Sequence, residues 1–398
     1  MRIAFVSNYL SHHQIPFSDA ISNIPGVDYS FISVCEMDSE RQKMGWKTSE
    51  KSYEIRTYED IECENRARRI IDDADVVILG SAPDSYIIPR LKAGKLTFKY
   101  SERFYKQGLS VTDFPHALVG AWLHHGRFQK YPLYMLCASA YTAGDAAVFH
   151  NYIGRTYKWG YFPEAKQYDV ADLMSRKLSV ASGWKHPKVS ILWAGRLIGL
   201  KHPDVSIELA TSLKEKDYSF RMSIIGNGEM EQQLRDMIKE KDLSDCVEML
   251  GAMSPEKVRA HMEQADIFLF TSDFNEGWGA VLNESMNSGC AVVASHAIGS
   301  VPFLIKDGEN GLIYENGNQK QLEEKVERLI RDNEYRKELG QNAYESIVNM
   351  WSADVAAKRF VALSQALLEG KSPEGMFSEG PCSKAEIFKN NWVSKSEK

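Results

Sequence analysis

The chain has 398 residues, 43% of them hydrophobic, 26% charged and 11% aromatic, which exceeds one ordinary core, suits two domains of roughly 200 residues each, and excludes disorder or collagen-like repetition. Lys and Arg number 48 against 54 Asp and Glu, a formal net charge of −6; this argues against a nucleic-acid partner, so any phosphate site has to be built locally. The cysteines at 35, 63, 137, 246, 290 and 382 form no C-x-x-C pair and no Cys/His spacing suited to zinc, which points to reduced thiols in a cytoplasmic protein without a metal site.

The first residues, MRIAFVSNYL, hold one basic side chain and an apolar run that breaks at Ser7-Asn8; they read as a first strand and not as an export signal. Runs of strand length then recur between amphipathic stretches of helix length: YSFISV at 29–34, VVIL at 76–79 and LTFKY at 96–100. The apolar-looking stretch from Leu133 to Phe149 contains Gly144 and Asp145 and falls short of the ~20 apolar residues of a spanning helix. Polar and charged residues dominate 166–187, which closes on the turn signal Gly183-Trp184-Lys185-His186-Pro187; the interdomain linker is expected there. Beyond it VSILWAG (189–195), FRMSIIG (220–226), CVEML (246–250), DIFLFT (266–271) and CAVVAS (290–295) repeat the strand pattern. Strands alternating with helices in this way predict an α/β protein with two doubly wound parallel sheets, residues 1–165 and 188–350. The helical periodicity continues through 351–370, and 371–398 reads as a loose polar tail. Such tandem domains are expected to face a central cleft, with ligands at the carboxyl ends of the strands.

The most informative segment is Glu276-Gly-Trp-Gly-Ala-Val-Leu-Asn-Glu284, between the strands DIFLFT and CAVVAS. Gly277 and Gly279 leave room for backbone amides to approach a ligand, and a helix beginning near Ala280 adds free N–H groups. Glu276 and Glu284 accept hydrogen bonds when ionised, which suits sugar or ribose hydroxyls; the plainer alternatives are a solvated helix carboxylate and an ordinary glycine turn. At the end of the first strand of this half stand Gly195-Arg196 and, five residues on, Lys201. A guanidinium and an ammonium there could share one diphosphate, or be two surface cations. The loop Gly226-Asn227-Gly228 ends the next strand and could approach a nucleotide.

In order, Gly195-Arg196 with Lys201, Gly226-Asn227-Gly228, Glu276-Gly-Trp-Gly with Glu284, and Gly299-Ser300-Val301-Pro302 with Asp307-Gly308 and Gly311 resemble the family 4 retaining glycosyltransferases of GT-B fold (glycosyl transferases group 1). The resemblance covers 188–350 and implies two Rossmann-like domains, with Arg196 and Lys201 on the donor diphosphate, Glu276 on the transferred sugar helped by the Gly277, Trp278 and Gly279 backbone, and Glu284 on the ribose; Gly195, Gly226 and Asn227 would line the donor site. It further implies that helix 351–370 returns to the N-terminal domain. Trp278 stands where the family usually has Phe, a departure expected to reshape the sugar pocket, and Ser300 where a second Gly is common. In this family retention is explained without a protein nucleophile, so Glu276 would position the sugar. No Asp-x-Asp pair suited to a magnesium diphosphate is visible, so metal independence is expected, with a nucleoside-diphosphate sugar as substrate and no cofactor.

The N-terminal half would then take a glycan, lipid-linked or small-molecule acceptor, as in the synthesis of cell-surface polysaccharide. His12 and His13 follow the first strand, in Ser11-His-His-Gln14, and Glu102 follows the run 96–100; all three are acceptor-side candidates, against the alternative that Ser11 caps a helix and the imidazoles are solvated. Arg90, Lys92, Lys95, Lys99, Arg103 and Lys106 face only Glu102 within 90–106 and alternate with aromatic residues, which reads as a solvated basic face, as a peripheral contact with anionic lipid at the inner face of the membrane, or as a place to receive a lipid diphosphate acceptor. A nucleotide-sugar epimerase of the same design and a non-catalytic two-lobed sugar-binding protein are the competing readings; a nicotinamide enzyme would need G-x-G-x-x-G where Ser7-Asn-Tyr-Leu-Ser-His-His13 stands. The sequence sets no oligomeric state.

Overall fold

The apolar runs form two parallel sheets in a computed structural model that describes residues 1–37, 51–182 and 189–393. In the first, β1 (Arg2–Ser7), β2 (Asp28–Ser33), β3 (Glu54–Arg56), β4 (Val76–Leu79), β5 (Thr97–Ser101), β6 (Leu133–Cys137) and β7 (Thr156–Lys158) lie in the order β3-β2-β1-β4-β5-β6-β7. In the second, β8 (Val189–Ala194), β9 (Phe220–Ile225), β10 (Val247–Gly251), β11 (Ile267–Phe270), β12 (Ala291–Ser295) and β13 (Leu312–Tyr314) lie in the order β10-β9-β8-β11-β12-β13. Central strands such as β4 and β11 are buried at every residue, as a parallel sheet covered by helices on both faces requires. The order reverses between β1 and β4 and again between β8 and β11, and crevices open at the carboxyl ends of such strand pairs. Among the described residues no helix is long and apolar enough to cross a membrane.

The chain divides into two compact units, Met1–Glu164 with Trp351–Asn390, and Ala165–Met350 with the residues from Asn391. Helix Ala353–Leu368 starts at Ser352, whose hydroxyl accepts the Val355 N–H, and it packs on helix Ile15–Ser22 of the first unit. Phe360 on this helix meets Phe17, Phe98 and Trp159 at ring separations of 5.1–6.4 Å, so the helix supplies aromatic core to the first unit.

Three expectations change. The stretch 166–187 is no free linker, because helix Val170–Ser182 lies within it and belongs to the second unit. Leu173 is 1% exposed, and Lys177 Nζ donates to the carbonyls of Met262 (3.0 Å) and Ala265 (2.5 Å); the turn at 183–187 lies outside the described residues. The polar end of the chain is anchored as far as Asn390. Cys382 N–H donates to Lys158 O, Lys158 N–H to Ser383 O and Ala385 N–H to Thr156 O at 2.8–3.1 Å, so the segment pairs antiparallel with β7 and satisfies its open backbone edge.

The third is the basic run 90–106, in which Arg90, Lys99 and Arg103 are buried and matched inside the unit while Lys92 stays exposed. Arg90 is 1% exposed and donates to the carbonyls of Ile71, Ala74, Asp75 and Leu96 and to the Thr97 hydroxyl. Burial lowers its pKa to about 10 against the pull of Asp72 and Asp75, so it stays charged at neutral pH. Buried Lys99 pairs with Asp84 at 2.5 Å, and buried Arg103 with Asp145 at 3.2 Å. Replacing Arg90 by Leu leaves several buried carbonyls without donors. It is expected to cost about 3 kcal/mol or more of stability, measured by urea unfolding; a loss below ~1 kcal/mol would show that Arg90 does not organise these chain segments.

Candidate functional site

In the second unit the loops after β8 and β11 adjoin at the reversal of strand order. The β8 loop is fixed by Leu197, which is fully buried; its N–H donates to Asn227 O (2.8 Å) and its carbonyl accepts the Met230 N–H (3.0 Å). This contact is why Gly226 and Gly228 are glycines. Their φ angles are 146° and 157°, and an added Cβ would lie 1.8 Å from Gly195 O and 2.3 Å from Leu197 O respectively. These glycines admit the neighbouring loop, and Asn227 between them remains exposed.

A single turn, Gly199–Lys201, follows, and His202 in the left-handed conformation (φ 48°) leads into helix Pro203–Glu215. Lys201 O accepts the Thr271 hydroxyl at 2.7 Å, and Thr271 Oγ1 in turn accepts Trp193 Nε1–H at 2.9 Å. Asp273 N–H donates to Leu200 O at 3.0 Å. Trp193 and Thr271, which no motif had singled out, thereby lock the Lys201 backbone to the end of β11. The Lys201 ammonium forms an ion pair with Glu276 Oε2, and the Ser272 hydroxyl donates to the same oxygen at 3.1 Å. The two paired side chains are 15% and 13% exposed, so they are largely screened from water yet reachable. Arg196 is exposed.

The segment after Glu276 is held by Gly279, whose φ of 79° and separation of 2.3 Å from an added Cβ to Phe270 Cζ exclude a side chain. Gly277 is buried. Trp278 does not shape a sugar pocket, since it is 0% exposed, donates Nε1–H to Asn283 Oδ1 at 2.9 Å and lies 6.4 Å from the Phe303 ring. Its extra bulk relative to Phe is absorbed by the core. Ser300 is likewise fully buried.

Glu284 lies in helix Val281–Asn287 and is partly exposed. Burial of its carboxylate pushes its pKa up, with the Arg259 guanidinium opposing. Arg259, unflagged in the sequence, donates to Glu284 O at 3.3 Å and Asn287 Oδ1 at 2.7 Å and so fixes the helix from beneath. Lys201 and Glu276 thus meet directly, whereas Glu284 stands on a separate element. The arrangement offers one cationic donor, one acceptor carboxylate anchored beside it, and a second carboxylate kept short of full hydration. Among the described residues no group of three or more His, Cys, Asp or Glu could hold a metal.

In the first unit, helix Ile15–Ser22 begins after Gln14, and Ser11 donates N–H and Oγ–H to Gln14 Oε1 and does not cap the helix itself. His12 and His13 are partly buried with ring centres 3.8 Å apart. Burial, then His12, lowers the His13 pKa to about 3, and burial lowers that of His12; His13 is therefore neutral at physiological pH. Tyr161, missed in the sequence, joins the candidates: its ring lies 6.0 Å from His13 and its hydroxyl donates to Glu102 Oε1 at 3.0 Å. Lys106 holds the other Glu102 oxygen at 3.1 Å. His13, Tyr161 and Glu102 therefore form one cluster beyond β1, β5 and β7.

Residues 175–346 match the family described as glycosyl transferases group 1. The amylovoran biosynthesis glycosyltransferase AmsK of Erwinia amylovora is 34% identical over 34% of this chain and 35% of its own. The poly(ribitol-phosphate) alpha-N-acetylglucosaminyltransferase of Staphylococcus aureus is 26% identical over 50% of this chain and 40% of its own. The aligned part thus spans well under half the length of each of these two relatives. The crystal structure of Anabaena HepE in complex with UDP superposes with a TM-score of 0.65 over 92% of this chain and all of that one, at 14% identity. The chain has the GT-B fold, with two Rossmann-like units.

The raised pKa of Glu284 gives a stability test. Its ionised form is penalised in the folded state, so the folded protein loses stability as pH rises from the unfolded carboxyl value of ~4.3 through the raised folded value. Glu284→Gln is expected to melt higher than the native protein at neutral pH, with the gain vanishing as the pH falls toward ~4. Thermal melts at several pH values check this; a gain that persists in acid contradicts it.

Proposed function

We propose that this protein is a retaining family 4 glycosyltransferase that moves a sugar from a nucleoside-diphosphate sugar to a glycan, lipid-linked or small-molecule acceptor in the synthesis of a cell-surface polysaccharide. The observation that carries the reading is the Lys201–Glu276 pair, set at the reversal of strand order within the segment that matches the group 1 glycosyltransferases. The UDP held by HepE and the polymers named for the relatives support a nucleotide donor and a polymeric acceptor. All six cysteines are free, which agrees with a reducing cytoplasmic compartment.

In this reading the donor diphosphate draws the Lys201 ammonium away from Glu276 and recruits the exposed Arg196. Both cations neutralise the charge that grows on the departing diphosphate, the task a metal would otherwise perform, so transfer proceeds without one. Glu276, released from Lys201, accepts hydrogen bonds from hydroxyls of the transferred sugar and orients it. The anomeric carbon–oxygen bond to phosphate breaks while the acceptor oxygen bonds to the same face, and the acceptor proton passes to the leaving phosphate oxygen. Glu284 accepts a ribose hydroxyl, and the Gly277 to Gly279 backbone adds amide donors. On the acceptor side His13, neutral and backed by Tyr161 and Glu102, can accept or donate to a hydroxyl, with His12 beside it.

Lys201→Ala and Arg196→Ala are each expected to lower kcat by on the order of 10²-fold, measured as acceptor-dependent formation of a glycoside with retained anomeric configuration, and a chelator is expected to leave the rate unchanged. Native rates in both variants, or loss in chelator restored by magnesium, would overturn the electrostatic assignment. Donor epimerised without any acceptor would replace the transferase reading with an epimerase.

A further inference from the structure

Helix Phe114–His124 belongs to the crossover between β5 and β6 of the first unit, and its sequence FPHALVGAWLH has no charged side chain other than its histidines. A helix apolar on every side is normally buried on every side. Here only Ala121 is buried, while Phe114, Leu118, Val119 and Trp122 are 46–59% exposed and Val111, just ahead, 93%. Scattered exposed apolar residues mean little, but a contiguous set of this size marks an interaction surface.

The charges around it indicate what covers it. No Asp or Glu occurs from Phe114 to Gly144 in a chain whose net charge is −6. Exposed Arg127 and Lys130 follow the helix, with their cationic groups 4.5 and 5.2 Å from the Phe128 and Tyr131 ring centres. Two carboxylates border the helix: Asp113 just ahead of it accepts the Ser110 hydroxyl at 2.5 Å, and Asp84, on His124 at 3.0 Å, is already matched by Lys99 at 2.5 Å, so Arg127 and Lys130 leave the border net positive. An 11-residue helix is ~16 Å long, about half the ~30 Å of a bilayer core, so it cannot cross one. A short apolar helix with a Trp and flanking cations fits the boundary between headgroups and acyl chains of an anionic membrane. A second copy of the chain seated two-fold on the same patch would instead bring Arg127 and Lys130 toward their own counterparts.

We infer that Val111 and helix Phe114–His124 dock this protein on an anionic lipid surface, with the apolar side chains inserted and Arg127 and Lys130 on the headgroups. The docking is separate from the transfer reaction and from its residues. It places the lipid contact on this helix and not on the run 90–106, whose Arg90, Lys99 and Arg103 are buried.

The test is cosedimentation of the full chain with vesicles of phosphatidylcholine, with and without phosphatidylglycerol. Binding is expected to the anionic vesicles and to weaken with salt. Leu118→Glu with Trp122→Glu is expected to lower partitioning by on the order of tenfold or more per residue at an unchanged melting temperature, because both side chains are exposed. Arg127→Glu with Lys130→Glu is expected to abolish the preference for phosphatidylglycerol. No cosedimentation at low ionic strength, or binding undiminished in the Leu118/Trp122 variant, overturns the inference. So does a dimer in light scattering that this variant dissociates while neither protein binds vesicles.

Discussion

The Lys201–Glu276 ion pair ties together the two loops on which the proposed donor-side chemistry rests. A cation and a carboxylate this sheltered would each be costly to leave alone, so each serves as the other's partner when no ligand is present. The surrounding structure fixes both ends. Trp193 and Thr271 hold the Lys201 backbone, and Ser272 holds the Glu276 carboxylate. Because the loops leave β8 and β11, which are neighbours with no strand between them, the pair occurs where the doubly wound sheet leaves its crevice. In the proposed reaction a diphosphate takes the place of the carboxylate on Lys201.

Much of this was legible in the sequence, because long apolar runs and glycine-flanked charges carry strong local signals. The strands around β1, β2, β4 and β5 and around β8 to β12 follow from hydrophobic runs alone. Strands of three residues, β3, β7 and β13, are too short to announce themselves, and β6 lies in a longer apolar stretch whose small and polar residues blur its ends. Residue type could not reveal which charges are interior. Arg90 and Lys99 look like surface cations until the carbonyls and the Asp84 carboxylate that neutralise them are brought near by distant segments. The same reason hid Arg259, Thr271 and Tyr161, whose roles exist only through partners remote in sequence.

Glycine and tryptophan at the site answer to packing demands that the motif alone does not reveal. Gly226 and Gly228 are required by loop-against-loop packing, and Trp278 is a core residue bonded to Asn283. Their effect on a ligand acts through the backbone they hold in place. Helix Phe114–His124 is the opposite case, since its composition reads as core and its environment is solvent. In the first unit that helix and the His13–Tyr161–Glu102 cluster are distinct features, one apolar and flanked by cations, the other polar and largely neutralised.

The central claim is that Glu276 occupies Lys201 until a diphosphate takes its place. Calorimetric titration of the native protein and of Glu276→Gln with UDP and GDP tests it most directly. If the claim holds, the variant binds the preferred nucleoside diphosphate several-fold more tightly than the native protein, because Lys201 no longer has to leave a carboxylate and one negative charge beside the phosphates is gone. Equal or weaker binding by the variant would contradict it.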